Sequence, residues 1–172
     1  MTFQEPCIGC GGLFPVLEGG ATHRYMDSSA ACWAAFNALP DVLEPTAFSA
    51  VLVDIFAIQH PGVLSNQAIN SVAIHLMVLY GIFEANFKPE QAMWLRIRPG
   101  RFDSTKKHSR FHWLTPPSFA NCLTVADVVA GKTSLERSSL VERWAREVWA
   151  VWKAAHGSQV AAWFEKFVVS EG

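Results

Sequence analysis

The stretch Cys7-Ile8-Gly9-Cys10-Gly11-Gly12 constrains this chain more than any other. Two thiolates two residues apart can grip one ion, and the glycines let the backbone turn tightly and aim its N–H groups at the sulfurs. Residues 1–26 around it are rich in glycine, carry Pro6 and Pro15, and show no hydrophobic period. Such a segment has no core of its own and must be held by something else. Twelve residues separate Cys10 from His23, and eight separate His23 from Cys32. The pattern C-x2-C-x12-H-x8-C offers four nitrogen and sulfur donors of the kind Zn2+ takes. The expected ligands are Cys7, Cys10, His23 and Cys32, with His60 as the alternative to His23. Four protein ligands leave no open position, so the expected metal is structural and pins the loop. Two competing readings exist. Cys32 is also a small hydrophobe that a core accepts. A thioredoxin-like redox pair at Cys7 and Cys10 would need a βαβ setting, which the sequence lacks. Cys122 is isolated and reads as core.

Beyond residue 26 the pattern is helical. Asp27 and Ser28 offer an N-cap for a helix to about Leu39, stopped by Pro40. Thr46 caps a second helix from Phe48 to Gln59, ended by His60-Pro61-Gly62. Ser65 or Asn66 opens a third, reaching as far as Phe87, with Ile69, Val72, Leu76, Leu79 and Phe83 on one face. Val78 and Ile82 lie on its other side, as in the central helix of a bundle. Pro89 begins a short helix with Met93, Trp94 and Leu95. Residues 99–121 read as a long irregular connection. Thr124 with Asp127, and Thr133 with Glu136, have capping-box spacing. The stripe Val141, Trp144, Ala145, Val148, Trp149, Trp152 and Ala155 marks the longest amphipathic helix, broken at Gly157, with Ser158 capping a last one. No strand alternation persists. The expectation is an all-α single domain over residues 1–172: a metal-knuckle loop at 1–26 laid against a body of six or seven helices at 27–172.

A second polar constellation lies inside the apolar helices. His75 is the one residue of the run Val72–Phe83 that can carry a positive charge, and Asp54 sits within the apolar stretch Val51–Ile58. A buried histidine needs a hydrogen-bond partner or a metal, and Ser71 lies one turn before His75. His60, His75 and Asp54 together would make an open two-histidine, one-carboxylate site, the arrangement of a metal-dependent hydrolase. Arg96, Arg98, Arg101, Lys106, Lys107 and Arg110 form a basic segment at 96–110, followed by Phe111, His112 and Trp113. That suggests an anion or nucleic-acid surface. A formal net charge of -1 argues that the chain as a whole is no polyanion binder. Met1–Pro6 has no basic or apolar leader character, and the run Val72–Phe83 is shorter than the roughly 20 residues that span a bilayer. A cytoplasmic chain without membrane or nucleic-acid partners is expected. Its tryptophans and phenylalanines would serve a homo-oligomer interface as readily as a core.

The order and spacing of several motifs resemble a bacterial family known only as a domain of unknown function. They are C-I-G-C-G-G, T-H-R-Y around His23, S-S-A-A-C-W around Cys32, Q-H-P-G at 59–62, S-V-A-I-H-L at 71–76 and T-V-A-D-V at 124–128. The resemblance covers nearly the whole chain. It implies one real domain whose motifs include Cys7, Cys10, His23, Cys32, His60 and His75. Similar members usually carry Pro-Gly before the second-segment cysteine. This chain has Ala30-Ala31, which alters the helix start and leaves the ligand set intact. The family brings no activity, so the expected role rests on the residues: a binding or scaffolding module with a structural zinc.

Overall fold

In the computed structural model, residues 3–97 and 110–170 are described. The first surprise is local. The cysteine knuckle is the tip of a small hairpin, β1 (Gln4–Pro6) against β2 (Leu13–Pro15), antiparallel with Glu5 opposite Phe14. Three-residue strands with a proline in each give no readable alternation, and a hairpin this short is marginal by itself. Phe14 turns inward and is buried, while Leu13 and Pro15 face out.

Helix α1 (Ala30–Ala38) starts one residue later than the sequence suggests. Ser29, not Asp27 or Ser28, is the cap, and its hydroxyl accepts the N–H of Cys32 at 3.3 Å. Pro40 then converts the chain to a 3-10 turn, Leu39–Asp41. Thr46 and Ser49 form a capping box that opens a 3-10 turn (Ala47–Val51) running into α2 (Leu52–Gln59). Of α2's eight residues only Val53 is not fully buried, and Pro61 prevents its continuation.

Helix α3 (Asn66–Phe83) is the central helix, packed against α2, α4 and α6. Its 18 residues outrun the 12-residue apolar run, and by length and composition alone such a helix could cross a membrane. Here half of it is buried inside the protein. It ends at Phe83 rather than Phe87, because Asn86 takes a positive φ of 57° and the N–H of Ala85 closes on Tyr80. Helix α4 (Pro89–Ile97) follows, then α5 (Val125–Ala130), whose Thr124–Asp127 capping box is formed as its spacing implied.

Helix α6 (Ser134–Phe164) corrects the expected break at Gly157: the helix is continuous over 31 residues. A glycine inside a helix costs only about 1 kcal/mol. The apolar stripe runs through it in phase, from Trp152 to Val160, Trp163 and Phe164, all buried. The tryptophan stripe is core, with its polar edges spent inside. Trp144 Nε1 donates to Gln59, Trp152 Nε1 to the carbonyl of Ile58 and Trp149 Nε1 to Glu84, each at 2.9 Å. On the outer face the Arg143–Glu147 and Arg146–Glu142 pairs form. The result is a mostly helical single domain with six α-helices among the described residues. Of the basic segment, Arg98, Arg101, Lys106 and Lys107 lie outside the described residues.

Candidate metal centre

Three separate pieces of chain bring four donors to one point. The hairpin tip supplies Cys7 and Cys10, the first turn of α1 supplies Cys32, and the residue ending α2 supplies His60. Their ligand atoms all lie within 4.8 Å of one another, and all four residues are buried. Cys10 Sγ stands 3.9 Å from Cys32 Sγ, and Cys32 Sγ is 3.5 Å from His60 Nε2.

Each donor is aimed by its local structure. The N–H of Cys7 bonds the Gly12 carbonyl and the N–H of Gly11 bonds that of Cys7, both at 2.8 Å, which curls the knuckle. Backbone N–H groups then point at sulfur: Ser29 at Cys7 (3.3 Å), Cys10 at Cys7 and Gly12 at Cys10. Cys32 sits where the helix dipole favours a thiolate. His60 folds back on α2, its ring stacked on Phe56 at 3.9 Å. Its Nδ1 is 2.8 Å from the Phe56 carbonyl. A carbonyl only accepts, so Nδ1 carries the proton and Nε2 presents its lone pair to Cys32. Gly9 is required by proximity, since a Cβ there would overlap the Asp27 carbonyl oxygen and the His60 ring. Gly62, at φ 75°, lets the chain leaving His60 pass against the backbone of Tyr25.

The thiols are electrostatically coupled, and the group could hold a cation. Hydrogen bonds from Cys10 and then Cys32 hold Cys7 far below the usual thiol range. Cys32 is pushed far above it by its bonds to Cys10 and Cys7 and by burial. For Cys10 the bond with Cys32 pulls down, but the bond with Cys7, burial and the Cys7 charge together push it up to about 12. One thiolate is thus readily formed and the next two are opposed. Three thiolates in this space need a positive ion among them.

His23 is not in this group. It lies half-buried against the Trp33 ring, accepts the N–H of Tyr25 at 3.2 Å, and partial burial lowers its pKa. The expected second constellation also divides. Asp54 and His75 pair directly, Oδ1 to Nδ1 at 2.7 Å, so the partner of His75 is Asp54 and not Ser71. Both nitrogens of His60 are engaged elsewhere, and the three groups do not converge. The sequence reading missed Arg96, counted only as part of the basic segment. Its Nε is 3.6 Å from Asp54 Oδ1 and its Nη2 donates to the Ala50 carbonyl at 2.8 Å. Its position one residue past an apolar Leu95 gave no sign of that inward turn. Cys122 is half-buried with its thiol on the Glu147 carbonyl, and burial raises its pKa.

No curated protein and no solved structure matches the chain. The chain belongs to a family of unknown function, DUF5946, whose family model matches residues 5–153.

Proposed function

We propose that this member of the family is a zinc-anchored helical module that works by binding or scaffolding and does no chemistry at the metal. The observation that carries this reading is the spacing of the donors in the buried Cys7–Cys10–Cys32–His60 group. A tetrahedral zinc with Zn–S of about 2.3 Å and Zn–N of about 2.0–2.1 Å separates two sulfurs by ~3.8 Å and a sulfur from a nitrogen by ~3.6 Å. Two of the six separations, Cys10 to Cys32 and Cys32 to His60, are 3.9 Å and 3.5 Å, and all six lie within 4.8 Å. Three thiolates and an imidazole are a donor set zinc favours over harder cations. With four protein ligands the ion has no vacant position for water or substrate, which makes its role structural.

The metal would tie a hairpin, the start of α1 and the end of α2, none of which is joined to the others by neighbouring sequence. A metal-dependent hydrolase built on His60, His75 and Asp54 has no geometric support, because His60 faces the cysteines and the other two face each other. Reduced thiols at the ligand positions suit a reducing compartment, the cytoplasm. Elemental analysis of purified protein tests the reading. One zinc per chain, lost with thermal stability in Cys7→Ser, is expected. Protein that is folded and metal-free, or whose metal survives the substitution, contradicts it.

A further inference from the structure

The three cysteines of the metal centre are all buried, but they are not equally enclosed. A cleft of about 470 Å³ lies between the knuckle and the segment 116–120, and Cys7 and Cys10 line it. A second cleft, of about 590 Å³, lies between the knuckle and α5, and Cys10 lines it too, with Cys122 on another wall. Phe119 and Ala120 border both clefts. Cys32 lines neither and has no exposure, whereas Cys10 keeps 3%. Of the three sulfur ligands, Cys10 is therefore the one that a small solute reaches from both clefts.

The neighbours of Cys10 differ in what they offer. Cys32 Sγ is 3.9 Å from Cys10 Sγ. A disulfide needs about 2.05 Å, so these sulfurs have a short way to close once no ion stands between them. Cys7 Sγ accepts the N–H of Ser29 at 3.3 Å, which holds that sulfur in the knuckle and lowers its nucleophilicity. Cys122 stays a thiol, because burial and the Glu147 charge raise its pKa, and a thiol reacts far more slowly than a thiolate.

We propose that Cys10 is the site at which a hydroperoxide oxidises this protein, with Cys32 as the resolving thiol, and that their disulfide expels the metal. The inference rests on the zinc reading above and concerns the ligands, which are the reacting groups. The Cys10 thiolate attacks one oxygen of hydrogen peroxide: an S–O bond forms, the O–O bond breaks and hydroxide leaves. The Cys32 thiolate then attacks the Cys10 sulfur: the S–S bond forms, the S–O bond breaks and a second hydroxide leaves. Each thiolate gives up one electron, the peroxide gains two, and two protons from solvent turn the hydroxides into water. Only Cys7 and His60 remain as ligands, too few to hold the ion. The new bond keeps the hairpin on α1 in place of the metal, while the end of α2 is let go.

The test uses the full zinc-loaded chain and its Cys122→Ser variant, which keeps all four ligands. Both are treated with hydrogen peroxide, zinc release is followed with a chromophoric indicator, and disulfides are mapped by mass spectrometry after differential alkylation. One zinc released per Cys10–Cys32 disulfide is expected, at the same rate in both proteins. Ala120→Leu narrows both clefts at an exposed position without touching a ligand. It should slow release several-fold at unchanged zinc content and melting temperature. Zinc that stays bound under peroxide, a disulfide from Cys10 to Cys7 or Cys122, slower release in Cys122→Ser, or an unchanged rate in Ala120→Leu overturns this proposal and leaves the metal reading standing. Protein that carries no zinc before peroxide is added overturns both.

Discussion

Helix α2 carries a buried polar group at each end, and the two groups are resolved in opposite ways. At its start, Asp54 meets Arg96 and His75, so charge is balanced by side chains already present. At its end, His60 meets three cysteines whose second and third deprotonations are opposed by the first. In the first group Asp54 Oδ2 and Arg96 Nε are buried without a hydrogen-bond partner among the described residues. The second holds no cationic side chain among its donors, and its four donors could hold a metal ion. Burial of polar atoms alone therefore says little. What distinguishes a structural ion pair from a metal site is whether the donors supply their own counter-charge.

This contrast can be tested at both ends of α2, and the largest effect belongs to the cysteine end. Chelation of the metal, or Cys10→Ser, should release the hairpin and the start of α1. The free energy involved is large, since structural zinc in small domains contributes on the order of 10 kcal/mol of apparent binding. Hydrogen exchange should rise from the hairpin through the first turn of α1, residues 3–33, while α3 stays protected. Uniform loss of protection would mean the two ends are not separable. Asp54→Ala comes next. It strands two basic groups at the edge of the core and should cost about 3 kcal/mol, read from a denaturant midpoint, with metal content unchanged. Metal loss in that variant would break the claimed independence.

Gly9→Ala is a finer probe of the metal end. The added methyl meets the His60 ring and the Asp27 carbonyl, an overpacking cost of roughly 1–3 kcal/mol. Weaker zinc retention in a competition with a chromophoric chelator is the expected readout. His23→Ala should have the smallest effect, under about 1 kcal/mol in a thermal melt, with full metal occupancy.

How much of this was readable beforehand follows from the range of each signal. Cys7, Cys10 and Cys32 announce themselves by spacing, because the knuckle and a helix start are local features. The choice between His23 and His60 is not local. His60 reaches Cys32 across 28 residues because Pro61 ends α2 there and the ring folds back on Phe56. The proline after His60 and the Q-H-P-G motif around it were the available hints. The cap at Thr46 and the capping box at Thr124 were legible for the same reason as the cysteines. The hairpin was not, since its strands hold three residues each and are paired only because the knuckle joins them. In α6, Gly157 reads as a stop in isolation, but the apolar period continues through it, and burial of Val160, Trp163 and Phe164 outweighs the glycine penalty.

The most direct measurement is X-ray absorption at the metal edge on the protein as purified, together with His60→Ala and His23→Ala. A zinc edge is predicted with three sulfurs at about 2.3 Å and one nitrogen at about 2.0–2.1 Å. The nitrogen shell should be replaced in His60→Ala and unaltered in His23→Ala. A first shell dominated by oxygen, or one that changes with His23 and not with His60, would contradict the Cys7–Cys10–Cys32–His60 centre.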